Sequence, residues 1–149
     1  MAIRNIVTVG DSVLSKVSRP VVKFDDRLFA LLDDMKDTLK KAEGVGLAAV
    51  QVGVLRRVVI VDVGDGLLEL INPEIVYTEG EQEGEEGCLS VPGETGVVVR
   101  PQKVKVRAQN RHGQWCLYQG EDLKARCFCH ELDHLDGILY TSKVKKRFE

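Results

Sequence analysis

Residues 122–135 read DLKARCFCHELDHL, and a glycine, Gly137, lies just beyond them. A polar start and a glycine stop mark this stretch as a helix. Within it, His130-Glu131-Leu132-Asp133-His134 has the form H-E-x-x-H. Helix positions four apart share one face, one turn above the other. His130 and His134 can therefore offer two imidazole nitrogens to one metal ion. Glu131 stands beside the first of them, within reach of a water on that ion. This is the chemistry of a hydrolase that makes hydroxide near neutral pH.

Outward from that helix, the chain divides by pattern. Residues 25–42 place Leu28, Leu31, Leu32, Met35 and Leu39 at helical spacing. Asp25 and Asp26 suit the start of this helix, Lys40 and Lys41 its end, and Gly44 its stop. Segments 57–63, 67–71, 75–78, 96–100, 103–108 and 114–118 are β-branched or alternating and bounded by Gly, Pro and Asn. Arg111-His112-Gly113 reads as a hairpin turn that leaves His112 in solvent. Cys116, beside Trp115 on a strand, reads as core, and the acid run 79–86 as a solvated face. Helix, many short strands, helix is the order of an α+β domain with mostly antiparallel sheets packed around the C-terminal helix.

The 149 residues suffice for one domain with a sizeable core, so 1–149 is read as a single catalytic domain. The chain is 44% hydrophobic and 30% charged, with a net charge of -2. That charge predicts no global pull toward nucleic acid or anionic membrane. Apolar runs such as Val58-Val59-Ile60-Val61 are too short to span a bilayer. The first residues lack a basic stretch followed by an apolar one, so no secretory signal and a cytoplasmic location are expected. The four cysteines (Cys88, Cys116, Cys127, Cys129) show no framework spacing and read as free thiols or metal ligands.

Two histidines need a third donor. Cys127 shares their stripe at 100° per residue, but seven residues set it about 10 Å from His134 along the helix axis. Ligand atoms sit only about 2.0–2.3 Å from zinc, and a cysteine side chain cannot close that gap. Cys88, in an acidic, glycine-rich context, is the easier donor. Two imidazoles and one thiolate leave a fourth position open, the catalytic rather than the structural pattern.

These residues carry a resemblance. Glu86-Gly87-Cys88-Leu89-Ser90 resembles the EGCLS motif of bacterial peptide deformylases, and His130-Glu131-Leu132-Asp133-His134 resembles their HExDH motif. GVGLAAVQ at 44–51 resembles their GxGxAAxQ. The motifs stand in the family's order and spacing, and the likeness covers nearly the whole chain.

The resemblance implies removal of the N-formyl group from the initiator methionine of new polypeptides, with release of formate. It implies a divalent ion on Cys88, His130 and His134. Ferrous iron is the usual native metal of the family, and zinc, nickel or cobalt can take the same donors. Water on the metal would attack, with Glu131 as general base and then acid. The Leu89 backbone N–H and the Gln51 amide would hold the developing oxyanion. Gly44 and Gly46 would let an extended substrate approach the backbone. Val45, Leu123, the Arg126 stem and Cys127 would line the methionine pocket. Glu86 is expected to pair with Arg100 and hold the Cys88 loop. Asp133 is open between supporting a histidine and bonding nearby backbone.

The expected partners are formyl-methionyl peptides and nascent chains, with room for a transient ribosome contact, and neither a membrane nor a specific nucleic acid. Some departures stand out. Cys129 precedes His130 where many members have Gln, and Thr95 stands where some carry Arg or Tyr. Residues 138–149 are too few for the long C-terminal helix that docks some members on the ribosome. The basic tail Lys143-Val144-Lys145-Lys146-Arg147 reads as a solvated terminus.

Two other functions compete. An ordinary HExxH metallopeptidase needs a later His or Glu ligand, and only Glu149 follows. A structural zinc module needs a second cysteine near Cys88 and leaves Glu131 without a task.

Overall fold

The computed structural model describes residues 2–148, with side chains described as far as residue 145. Helix α1 spans Asp26–Ala42. The Asp25 side chain accepts from the Leu28 N–H and caps its start, and Leu28, Leu31, Leu32, Met35 and Leu39 are all buried on one face. The stop is not Gly44. Glu43 takes the left-handed conformation (φ 56°), and its N–H and that of Gly44 close on the Leu39 carbonyl.

Strands β1 (Gly46–Ala48), β2 (Val58–Val61), β3 (Leu68–Glu79), β6 (Lys103–Gln109) and β7 (Trp115–Glu121) form one antiparallel sheet in the order β1-β2-β3-β6-β7. Strands β4 (Gln82–Cys88), β5 (Val91–Arg100) and β8 (Val144–Phe148) form a second, with β5 central. Helix α2 spans Leu123–Leu135. The α+β class with antiparallel sheets is as expected from the sequence.

The four residues of β2 are all buried because both of its faces are covered. Val59 and Val61 pack with Phe128 and Leu132 of α2. Val58 and Ile60 pack with the leucines of α1. A strand buried on both sides reads as an unbroken apolar run. At the other end of the sheet only one face is covered. Val104, Val106 and Ala108 alternate inward toward α2, while Trp115 and Leu117 stand exposed on β7. Trp115 and Cys116 are therefore not core. Trp115 instead lies under the Arg107 guanidinium, 3.8 Å from ring centroid to carbon.

Two more expectations change. Segments 67–71 and 75–78 are one strand, broken in register between Ile71 and Glu74 where Asn72 takes a positive φ of 52°. Residues 79–86 are not simply a solvated face, because they run into β4, and Glu86 is buried. The basic tail is not a free terminus. Its backbone pairs with β5 from Thr95↔Phe148 to Val98↔Val144. Lys143 meets Asp133 at 3.0 Å and Lys145 meets Glu83 at 2.7 Å; the side chains of Lys146 and Arg147 lie outside the described residues. Among the described residues, no helix is long and apolar enough to cross a membrane.

Candidate active site

Helix α2 presents its chemistry inward. Arg126, His130, Glu131 and His134 are all buried. The two imidazoles meet at 5.0 Å between ring centroids, edge to face. Cys88 arrives from the second sheet, at the end of β4 and before the tight turn Leu89-Ser90 into β5. The ladder breaks register here, from Glu86↔Gly96 to Cys88↔Val91. Such irregularities re-aim side chains near active sites. The result brings Cys88 Sγ within 3.4 Å of His134 Nε2. One ligand atom each from Cys88, His130 and His134 lie within 4.8 Å of one another. Cys127 does not join them; its thiol faces the Val45 carbonyl at 3.6 Å, and burial pushes its pKa up.

The sulfur of Cys88 collects donors. The Ser90 N–H points at it from 3.4 Å and the Gln51 amide from 3.5 Å. Gln51 is locked in place: its Oε1 accepts the Ala48 N–H at 2.9 Å, and its Nε2 also donates to Ser90 Oγ at 3.1 Å. Ser90 is the residue that sequence reasoning passed over. Its position inside the EGCLS stretch was the available signal.

Behind the histidines lies a buried charge cluster. Glu86 accepts from Arg100 Nε and Nη2 at 2.9 Å each, from Arg126 Nη1 at 2.7 Å, and meets His130 Nδ1 at 2.8 Å. The expected Glu86–Arg100 pair is thus present, and Arg126 joins it with more than its stem. Asp133 bonds neither a histidine nor backbone through its carboxylate; it takes Arg100 Nη1 at 2.8 Å. Burial opposes the Glu86 charge, but hydrogen bonds from Arg100 and His130 outweigh it and hold its pKa at about 2. With Nδ1 engaged by Glu86, His130 is left to offer Nε2, the arrangement by which a supporting carboxylate orients a ligand.

The two imidazoles differ electrostatically. Burial disfavours charge on His130, yet its hydrogen bonds to Cys88 and Glu86 raise its pKa to about 10. Burial, and then the charges of His130 and Arg100, lower that of His134 to about 3.

Glu131 is buried, and its Oε1 has no hydrogen-bond partner among the described residues. Burial raises its pKa to about 7. A buried carboxylate oxygen without a partner is costly. Here it sits on the helix that carries the two imidazoles, in a pocket that the Cys88 thiol also lines. That donor set, two nitrogens and one sulfur, suits a divalent transition ion with a position left open. Gly46 makes the space: a Cβ there would lie 2.7 Å from Glu131 Oε2 and 2.7 Å from Cys127 Sγ.

A pocket of about 380 Å³ opens over these groups. Gly44, Val45 and Gly46 form one wall, Leu123, Arg126 and Cys127 another, and Glu86, Cys88 and Leu89 a third, with Gln51, His130 and Glu131 also reaching the surface. His134 lies deeper and is fully buried. The residues expected to catalyse, hold the metal or bind substrate thus line this pocket, with His134 beneath it. Glu43, Glu85 and Gly87 also line the rim and were not foreseen. Cys129 does not line this pocket and belongs to the apolar cluster packed on α2; burial pushes its thiol up to about 11.

Comparison with known proteins agrees with this geometry. The family model for polypeptide deformylase matches residues 3–148. The peptide deformylase of Caldanaerobacter subterraneus subsp. tengcongensis is 58% identical over 97% of this chain and 91% of its own length. That of Acetivibrio thermocellus is 59% identical over 97% and 85%. The crystal structure of the Thermotoga maritima peptide deformylase superposes with a TM-score of 0.94 at 40% identity, covering 96% of this chain and 98% of that one. The Ehrlichia chaffeensis enzyme, solved in complex with actinonin, gives 0.95 at 38% identity over 98% and 91%. With its three motifs gathered around one pocket, the chain belongs to the polypeptide deformylase family, enzymes that act on formylated peptides.

Proposed function

We propose that the chain hydrolyses the N-formyl group of N-terminal formyl-methionine on newly made polypeptides, releasing formate, with a divalent ion held by Cys88, His130 and His134. The observation that carries this reading is the buried, partnerless Glu131 oxygen set beside that Cys–His–His group in one pocket. When bound, such an ion supplies a water acidic near neutral pH and polarises a carbonyl. Ferrous iron is the native ion in this reading, and zinc, nickel or cobalt fit the same donors.

The protein's own residues do the rest. Glu131, with its pKa raised by burial, takes the proton of the attacking water and returns it to the departing amine. Gln51 Nε2 and the Leu89 N–H donate to the formyl oxygen as negative charge grows on it. An amide donor carries no net charge, so Gln51 stabilises that oxygen without drawing on the base. Gly44, Val45 and Gly46 flank an extended substrate, and Leu123, Cys127 and the stem of Arg126 enclose the methionine side chain. Glu86 acts at one remove by fixing His130. The actinonin complex of the Ehrlichia chaffeensis relative supports a pocket of this shape that accepts the same compound. Formylated nascent chains are then the substrates, the cytoplasm the compartment, and ribosome contact brief.

The test is anaerobic purification with metal analysis and a formate-release assay on a formyl-methionyl peptide. The native protein should carry close to one ion and turn over. Cys88→Ala should lose both. Stoichiometric metal retained by Cys88→Ala would remove the ligand assignment, and a loaded native protein that releases no formate would remove the reaction.

A further inference from the structure

A second concavity, of about 730 Å³, shares no lining residue with the pocket above. Arg19, Lys23, Arg27 and Arg56 line it, with Asp25 as its one acid and valines at its floor. The Asp25 carboxylate is already engaged as the cap of α1. The arginines matter most. Arg4, Arg57, Arg100, Arg107, Arg111 and Arg126 each hold a carboxylate. Among arginines whose side chains are described, those with neither an ion pair nor a side-chain hydrogen bond are Arg19, Arg27 and Arg56. All three line this groove.

Their placement is unfavourable without an anion. Arg19 and Arg56 are neighbours across an isolated parallel bridge, fixed by Arg19 N–H to the Leu55 carbonyl at 3.0 Å and Arg57 N–H to the Arg19 carbonyl at 2.8 Å. Like charges set opposite one another repel. Arg27 sits in the first turn of α1, where the helix dipole opposes a cation. The segment is also pinned, because Val21 exchanges two hydrogen bonds with the Asn72 side chain. The backbone that carries Arg19 is therefore fixed beside Arg56.

We propose that this groove binds the phosphodiester backbone of RNA without regard to base sequence. Guanidinium groups match phosphate oxygens bidentately. Backbone contact by basic side chains positions a protein without reading bases. A concave surface receives a ridge of phosphates, whereas a flat bilayer would reach only its rim. The exposed apolar residues nearby, Val17 and Val22, lack the aromatic or long aliphatic bulk that inserts into a membrane interface. The net charge of -2 concealed this cluster because acids elsewhere balance it.

The test is fluorescence anisotropy with the full chain and two labelled 20-base-pair RNA duplexes of different sequence, alongside vesicles of phosphatidylserine and phosphatidylcholine. Both duplexes should bind equally, and affinity should fall roughly 100-fold between 50 and 200 mM salt, as expected for about four phosphate contacts. Arg19→Gln with Arg27→Gln and Arg56→Gln should weaken binding at least 10-fold at 50 mM salt, roughly, and flatten the salt slope by about three. Formate release from a short formyl-methionyl peptide should be unchanged in the same samples, which separates this groove from the catalytic reading. If the triple variant does not fold, the exposed pair Lys23→Gln with Arg27→Gln should flatten the slope by about two. No duplex binding by the native chain, native-like binding by the variants, or binding to vesicles alone would each overturn the proposal.

Discussion

The two helices are alike in outline and opposite in content. α1 buries five large apolar side chains with Thr38 as its one buried polar residue, has an aspartate cap, an acid in its first turn and two lysines in its last. Each feature lowers the free energy of the helix. α2 has no side-chain cap bond and no acid in its first turn, and it starts from Asp122 in a positive-φ conformation. It buries Arg126, His130, Glu131 and His134. The comparison teaches where this fold keeps its stability and where it relinquishes some for chemistry.

The sharpest way to separate the helices is Glu131→Gln. In the loaded protein, turnover should fall by about 10²- to 10⁴-fold, the usual share of general acid–base catalysis, while metal content persists. In chelated protein the same change should stabilise. The folded-state pKa of Glu131 is raised to about 7 against an ordinary 4.5. Between those values the folded protein holds a proton the unfolded chain does not, so stability falls as pH rises through that window. Above pH 7 the ionised, buried carboxylate costs on the order of 3 kcal/mol at most. Glutamine removes that cost at pH 8 and changes little below pH 4.5, which denaturant titration at both pH values will detect. Equal turnover, or a loss of stability at pH 8, would break the contrast.

Leu32→Ala in α1 should do the reverse. Its side chain is fully buried, and truncation should cost about 2–5 kcal/mol. Turnover per folded molecule should stay unchanged. A variant of normal stability but impaired turnover would mean that α1 shapes the site directly.

The smallest expected effect is Asp25→Ala. Losing the cap on Leu28 should cost about 1 kcal/mol, or roughly 2–4 °C in thermal midpoint for a domain of this size. A loss several times larger would show that Asp25 also holds the neighbouring cationic groove together.

What the sequence disclosed follows the same divide. α1 and the strands β2, β6 and β7 were legible because one period of apolar residues governs each. Within the site, His130, Glu131 and His134 were legible from a spacing that is itself chemical, whereas Gln51 and Leu89 were expected only from the resemblance to a known family. β4 escaped notice because Gln82-Glu83-Gly84-Glu85-Glu86-Gly87-Cys88 has little strand propensity, and its ladder comes from pairing with β5. β8 escaped because a lysine-rich segment resembles a loose end; of its described side chains, Val144 packs inward beside Val98 and Tyr140. Trp115 and Cys116 misled because apolar character was taken for burial, while β7 at the sheet edge leaves Trp115 and Leu117 uncovered. The charge cluster around Glu86 was half visible. One pair could be guessed from complementary charge, but its closure through Arg126, His130 and Asp133 depends on the second sheet and α2 meeting.

The strand β8 has a consequence for the order of assembly. Synthesis is vectorial, and β8 follows every other described strand in sequence, yet it completes the sheet that carries Cys88. Until residues 144–148 have cleared the exit tunnel, that sheet is a lone two-stranded hairpin, which is marginal in water. The five-stranded sheet and the histidine helix are by then complete in sequence. The thiol arm therefore gains its third strand only after both of its imidazoles have been made, so the two halves of the site become complete in a fixed order.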